Sequence, residues 1–150
     1  MAVAYDLRPA ELHEFDRANC LAMLTTQAVG RLVLTRLGPF VAPVNYAVVQ
    51  ETVVFRVDEG SPAASGAGAT AVFEVDVIDE LHHAGWSVVV QGRIDDITDE
   101  AVTDPELWER VQPWAPGPKN RCLRLRIEQV TGRWLRGAEQ PPAADQRAYL

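Results

Sequence analysis

His82 and His83 follow closely on Asp79 and Glu80, a cluster of imidazoles and carboxylates of the kind that can hold a metal. Neighbouring histidines point apart on most backbones, and no second cluster supplies further ligands, so the spacing argues against a metal site. Cys20 and Cys122 lie far apart with no CxxC pair and no zinc spacing, and read as buried thiols rather than a disulfide. There is no Ser-His-Asp arrangement and no paired-carboxylate signature. These residue types therefore do not by themselves assemble a recognisable catalytic group.

The charge pattern limits the partners and any anion site. The net charge of −7 disfavours nucleic-acid phosphates. Lys119 is the sole lysine, so an anion site must rest on arginines or backbone amides. Residues 58–70, DEGSPAASGAGAT, hold nothing larger than Glu59 and contribute little to a core. Such a stretch lets a backbone approach a ligand closely, or acts as a linker. Strand patterns continue on both sides of it, which argues against a linker.

The elements that must position these residues read as mainly β. Residues 9–25 are expected to form a helix, with Pro9 in the first turn and Glu11 and Glu14 near the positive end of its dipole. Strands are expected at 31–36, 40–49, 52–57, 71–78, 86–94 and 123–135. Phe73, Val75 and Val77 alternate with Glu74 and Asp76, and Leu123, Leu125 and Ile127 alternate with Arg124 and Arg126. Asp104-Pro105 opens a short helix. The tail from Gly137 is polar and rich in Pro and Ala, and is expected to be mobile. Six strands with short turns favour closure into a small antiparallel barrel, which removes exposed edges. The 150 residues suit one domain over 1–136 and a tail over 137–150. No apolar run is long enough to span a membrane, and the acidic N-terminus is unlike a signal peptide, so a cytoplasmic protein is expected.

Three segments in order, VGRLVLTRLGPFVAPVNYAV (29–48), VVFRVDEGS (53–61) with VFEVD (72–76), and GWSVVVQG (85–92), resemble the pyridoxamine 5′-phosphate oxidase-like, FMN-binding split-barrel family, in its actinobacterial group. The likeness runs roughly over residues 12–135. It implies a six-stranded split barrel and a homodimer with a flavin at each interface site. It implies a flavin-dependent oxidoreductase acting on a small-molecule substrate. Carried over residue by residue, Pro43, Val44, Asn45 and Tyr46 match the strand along the flavin ring. Arg56 with Glu59, Gly60 and Ser61 matches the phosphate site, Trp86 and Ser87 the ring's polar edge, and Arg31 the start of the first barrel strand near cofactor or dimer seam.

Elementary chemistry fits these roles. Pro43 inside a strand marks an edge or bulge, where a ligand reaches free backbone groups. A phosphate suits an arginine fork and a Gly-containing loop. One departure stands out: the family's usual lysine after the Gly-Ser pair is Pro62 here. Arg56 is then the one cation expected near the loop, which weakens the case for FMN. A deazaflavin, haem held by His82 or His83, and a non-catalytic binding protein are the alternatives.

Overall fold

The computed structural model describes residues 9–137. Its elements are β1 (Glu11–Phe15), α1 (Arg17–Leu24), β2 (Val29–Leu34), β3 (Phe40–Val49), β4 (Thr52–Val57), β5 (Thr70–Asp79), β6 (Ala84–Asp96), α2 (Thr98–Thr103), α3 (Pro105–Arg110), β7 (Arg121–Arg126) and β8 (Gln129–Arg136). The strands run in the order β1-β8-β6-β5-β2-β3-β4-β7, and β7 returns to pair with β6. Every pairing is antiparallel. Six strands, β2 to β7, thus close the expected split barrel, while β8 and β1 extend from it as a flap.

β6 makes this architecture possible. Gly85–Gln91 pair with β8, whereas Ile94–Asp96 pair with β7. Gly92 stands at the changeover. A Cβ there would run into the Arg126 backbone carbonyl, so only glycine lets the two strands part at this point.

Period-2 alternation fills the barrel. Leu32, Phe55, Phe73, Val75, Val88, Val90, Leu123 and Leu125 all point inward and are fully buried. Cys20 and Leu24 of α1 join the same core. A second cluster lies outside the barrel wall. There Ile97, Ala101, Leu107 and Val111, from α2, α3 and their flanks, cover Val54 and Cys122.

The helix expected over 9–25 is a strand followed by a shorter helix. Residues Glu11–Phe15 pair with Arg136–Gly132 across the whole length of the chain. The helix starts only after Asp16, whose carboxylate accepts a hydrogen bond from the Asn19 amide at 2.8 Å. The strand region expected over 123–135 is divided: β7 serves the barrel and β8 the flap, with the chain turning at Ile127 and Glu128. α2 is an addition to the expected elements. The tail expected to be mobile falls, from residue 138 on, outside the described residues.

Candidate functional site

β3 and β4 form a hairpin that opens toward its free ends. Their pairing extends only from Val49↔Thr52 to Tyr46↔Phe55. Beyond that, Phe40–Asn45 pair with β2 alone, and Arg56 and Val57 pair with β7. Pro43, Val44 and Asn45 therefore form one lip of a split in the barrel wall, and Arg56 with the 58–61 turn forms the other. Pro43 sits on an edge, where its missing N–H costs no ladder bond.

The side chains of the first lip diverge. Val44 packs against the core and Tyr46 is buried in it. The Tyr46 hydroxyl donates to the Leu24 carbonyl oxygen, and its ring meets Phe73 edge-on at 5.0 Å. Burial pushes its phenol pKa up. Tyr46 thus presents only backbone to a ligand. Asn45 faces outward: its amide donates to the Ala28 carbonyl at 3.2 Å, and its Oδ1 accepts from the Trp114 amide at 2.8 Å.

The second lip is tied to the segment between α3 and β7. Arg56 donates from Nε to the Lys119 carbonyl (3.1 Å) and from Nη1 to the Val111 carbonyl (3.2 Å). Its guanidinium lies 3.9 Å over the Trp108 ring. Desolvation lowers its pKa. Asp58 accepts from the Lys119 amide (2.9 Å) and from Lys119 Nζ (2.6 Å), which hold its carboxyl below the usual carboxylate range. Glu59 donates its amide to Asn120 Oδ1 at 3.1 Å. Gly60 has φ +77°, a turn conformation that favours glycine. The Ser61 amide is spent on the Asp58 carbonyl, and its Oγ accepts from Ala64 N. Arg56 is accordingly not the one cation near this loop: strand pairing delivers Lys119 to Asp58, a proximity that no local sequence feature announces.

Arg31 and Ser87 belong to the barrel's outer face. Arg31 lies opposite Pro43 on β3 and Glu74 on β5. Its Nη1 reaches Glu74 at 2.9 Å and Asp76 at 3.4 Å. Burial raises the Glu74 pKa, and the adjacent Asp76 adds to the rise, while Arg31 offsets part of it. Asp76 is in turn opposite Ser87, and Ser87 is opposite Arg133 of β8. Trp86 and Ser87 line a cavity of about 500 Å³, together with Leu12, Ile78, His83 and Arg133 among others. His82 turns aside to Asp79, with Nδ1 and Oδ2 2.7 Å apart. Among the described residues, no group of three or more His, Cys, Asp or Glu is placed to hold a metal.

The sequence-derived residues thus fall into two groups. Arg31, Pro43, Asn45 and Ser87 share the outer face. Arg56 and Glu59–Ser61 lie across the split, against the segment that precedes β7. Arg133 and Leu12 were not foreseen, because only pairing of the flap strands with β6 brings them to the cavity.

Among proteins of known sequence, the uncharacterized protein Rv0080 from Mycobacterium tuberculosis is 32% identical over 133 residues, covering 81% of this chain and 84% of its own. Among solved structures, a conserved protein of unknown function, DIP1874, from Corynebacterium diphtheriae is 30% identical, with a TM-score of 0.65, covering 82% of this chain and 97% of its own. The FAD-binding protein from Mycobacterium smegmatis is 25% identical, with a TM-score of 0.62, covering 83% and 98%. The family model described as pyridoxamine 5′-phosphate oxidase matches residues 16–134, which spans the barrel from the cap of α1 to β8. With that span and those relatives, the chain belongs to the pyridoxamine 5′-phosphate oxidase family.

Proposed function

We propose that this chain is a cytoplasmic, flavin-binding oxidoreductase that works as a homodimer, with FMN as its flavin. The observation that supports this best is the opening of the β3–β4 hairpin. It leaves the outer backbone edge of Phe40–Asn45 without a strand partner. Free N–H and C=O groups along an extended edge suit the pyrimidine side of a flavin ring. The solved relative from M. smegmatis, an FAD-binding protein, supports flavin as the class. A bound flavin would supply the electron transfer that no side-chain constellation here provides.

The chain's own residues would then have these tasks. The Pro43–Asn45 edge orients the ring, and Arg31, fixed between Glu74 and Asp76, closes its flank. The outer face also suits a second copy of the chain. Val41 is exposed there, and Val33, Val72 and Val89 are only half covered. The phosphate end fits less well. Lys119 is paired with Asp58, the Ser61 amide is taken, and Pro62 offers no N–H. The reading therefore carries weak retention of FMN and substantial apo protein after purification.

The test is the visible spectrum of the purified full-length protein before and after adding FMN, with light scattering alongside. Flavin bands displaced from those of free FMN once it is added, and a mass of two 16.5 kDa chains, are expected. No uptake of FMN or FAD, or a strict monomer, overturns the reading; haem bands would replace flavin by haem.

A further inference from the structure

Leu12, Leu135, Gly85 and Ile78 stand side by side across β1, β8, β6 and β5. The three side chains are markedly exposed, at 59%, 37% and 62%. Gly85 contributes none, so this apolar row has a gap one side chain wide over bare backbone. Its φ of +149° reserves the position for glycine. The adjacent row places Arg133 opposite Ser87. All six residues line the one cavity of about 500 Å³, within the range of small-molecule sites. Asp79 on its wall is occupied by His82. Among the described residues, the side chains of Arg133 and Ser87 have no hydrogen-bond or ion-pair partner. Among those residues, their donors are unspent beside an apolar slot.

We infer that this cavity binds a flat, apolar molecule carrying a single carboxylate. The ring lies in the gap over Gly85, between Leu135 and Ile78, with Trp86 beside it. The carboxylate accepts from the Arg133 guanidinium and the Ser87 hydroxyl, a charge-assisted pair. Neighbouring charge sets the limit on the anion. Glu14 lies opposite Arg133, Asp76 lies opposite Ser87, and Glu80 is on the wall. These carboxylates repel a second negative charge, so a monoanion is favoured over a phosphate. On the flavin reading this makes aromatic carboxylates the substrate class; the binding site itself stands without that reading.

Titrating the full-length protein with 2-naphthoate, 2-naphthamide and 2-naphthyl phosphate, followed by tryptophan fluorescence, tests this. Naphthoate is expected to saturate one site per chain and to bind about tenfold or more tighter than the other two. Arg133→Gln is expected to remove that advantage while leaving naphthamide binding unchanged, which also shows that the variant is folded. Equal affinity for naphthamide, or an Arg133→Gln protein that keeps the preference, overturns the inference. So does competitive displacement of naphthoate by FMN, which would assign the cavity to the cofactor. Arg133-dependent naphthoate binding without any flavin uptake keeps this site and discards the flavin reading. Flavin uptake without naphthoate binding does the reverse.

Discussion

The guanidinium of Arg56 lies 3.9 Å over the ring of Trp108, and the same group donates to the carbonyls of Val111 and Lys119. One side chain on β4 thus holds both ends of the segment leading from α3 into β7. Arg56→Ala removes the ring contact and leaves two carbonyls without their donor. A loss of about 2–3 kcal/mol in urea unfolding is expected. Arg56→Lys recovers only part, since an ammonium cannot fork between two carbonyls while stacked on an indole. A variant of wild-type stability that loses FMN would show instead that Arg56 serves the ligand.

Tyr46 ties β3 to the end of α1 through its hydroxyl. Tyr46→Phe keeps the ring against Phe73 but leaves the Leu24 carbonyl unpaired in the core. The expected cost is about 1–2 kcal/mol, read from the shift in denaturation midpoint at constant slope. FMN affinity should not change, because Tyr46 offers a ligand its backbone alone.

Burial pushes the Cys122 thiol from its ordinary 9.0 to about 11, and burial likewise raises Cys20. The folded chain therefore holds the Cys122 proton at pH values where the unfolded chain has released it. That contribution to stability is complete below pH 9.0 and is lost as pH rises toward 11. Cys122→Ser or Cys122→Ala should flatten this part of the stability profile. Iodoacetamide at pH 8 should label neither cysteine until urea unfolds the protein; rapid labelling of the native chain would contradict the burial of both thiols.

Pro62 is exposed and starts the turn that Ser65 closes on its carbonyl. Replacing it with lysine adds a cation beside a loop whose other lysine is already paired with Asp58. Pro62→Lys should tighten FMN by on the order of 1 kcal/mol. Weak wild-type binding that does not improve in the variant would place the phosphate elsewhere.

The barrel was legible in the sequence because its strands alternate cleanly. Phe73 and Val75 against Glu74 and Asp76 indicate which face each residue takes, and burial follows that pattern. The flap was not legible. Leu12 and Phe15 satisfy a helical spacing as well as they fit a strand, and only the distant partners Leu135 and Gly132 decide between the two. The same long-range pairing hid half of the site. Arg56 reads as a loop-side cation until Trp108 and the Val111 carbonyl are placed next to it. Lys119 reads as a solvated charge until β7 brings it to Asp58. Local pattern assigns a face, whereas pairing assigns a neighbour, and the chemistry of a site depends on neighbours.

The junction at Gly92 has a consequence for how the chain is made. The barrel is closed by β7, which fits between β4 and β6, and the flap by β8. Both strands come from residues 121–136, after every other described strand. During synthesis β4 and β6 must wait with unpaired edges until residues 121–136 have left the ribosome. A nascent chain stalled before Arg121 would expose two adhesive strand edges at once. Chaperone engagement should therefore fall sharply once residue 136 has cleared the exit tunnel.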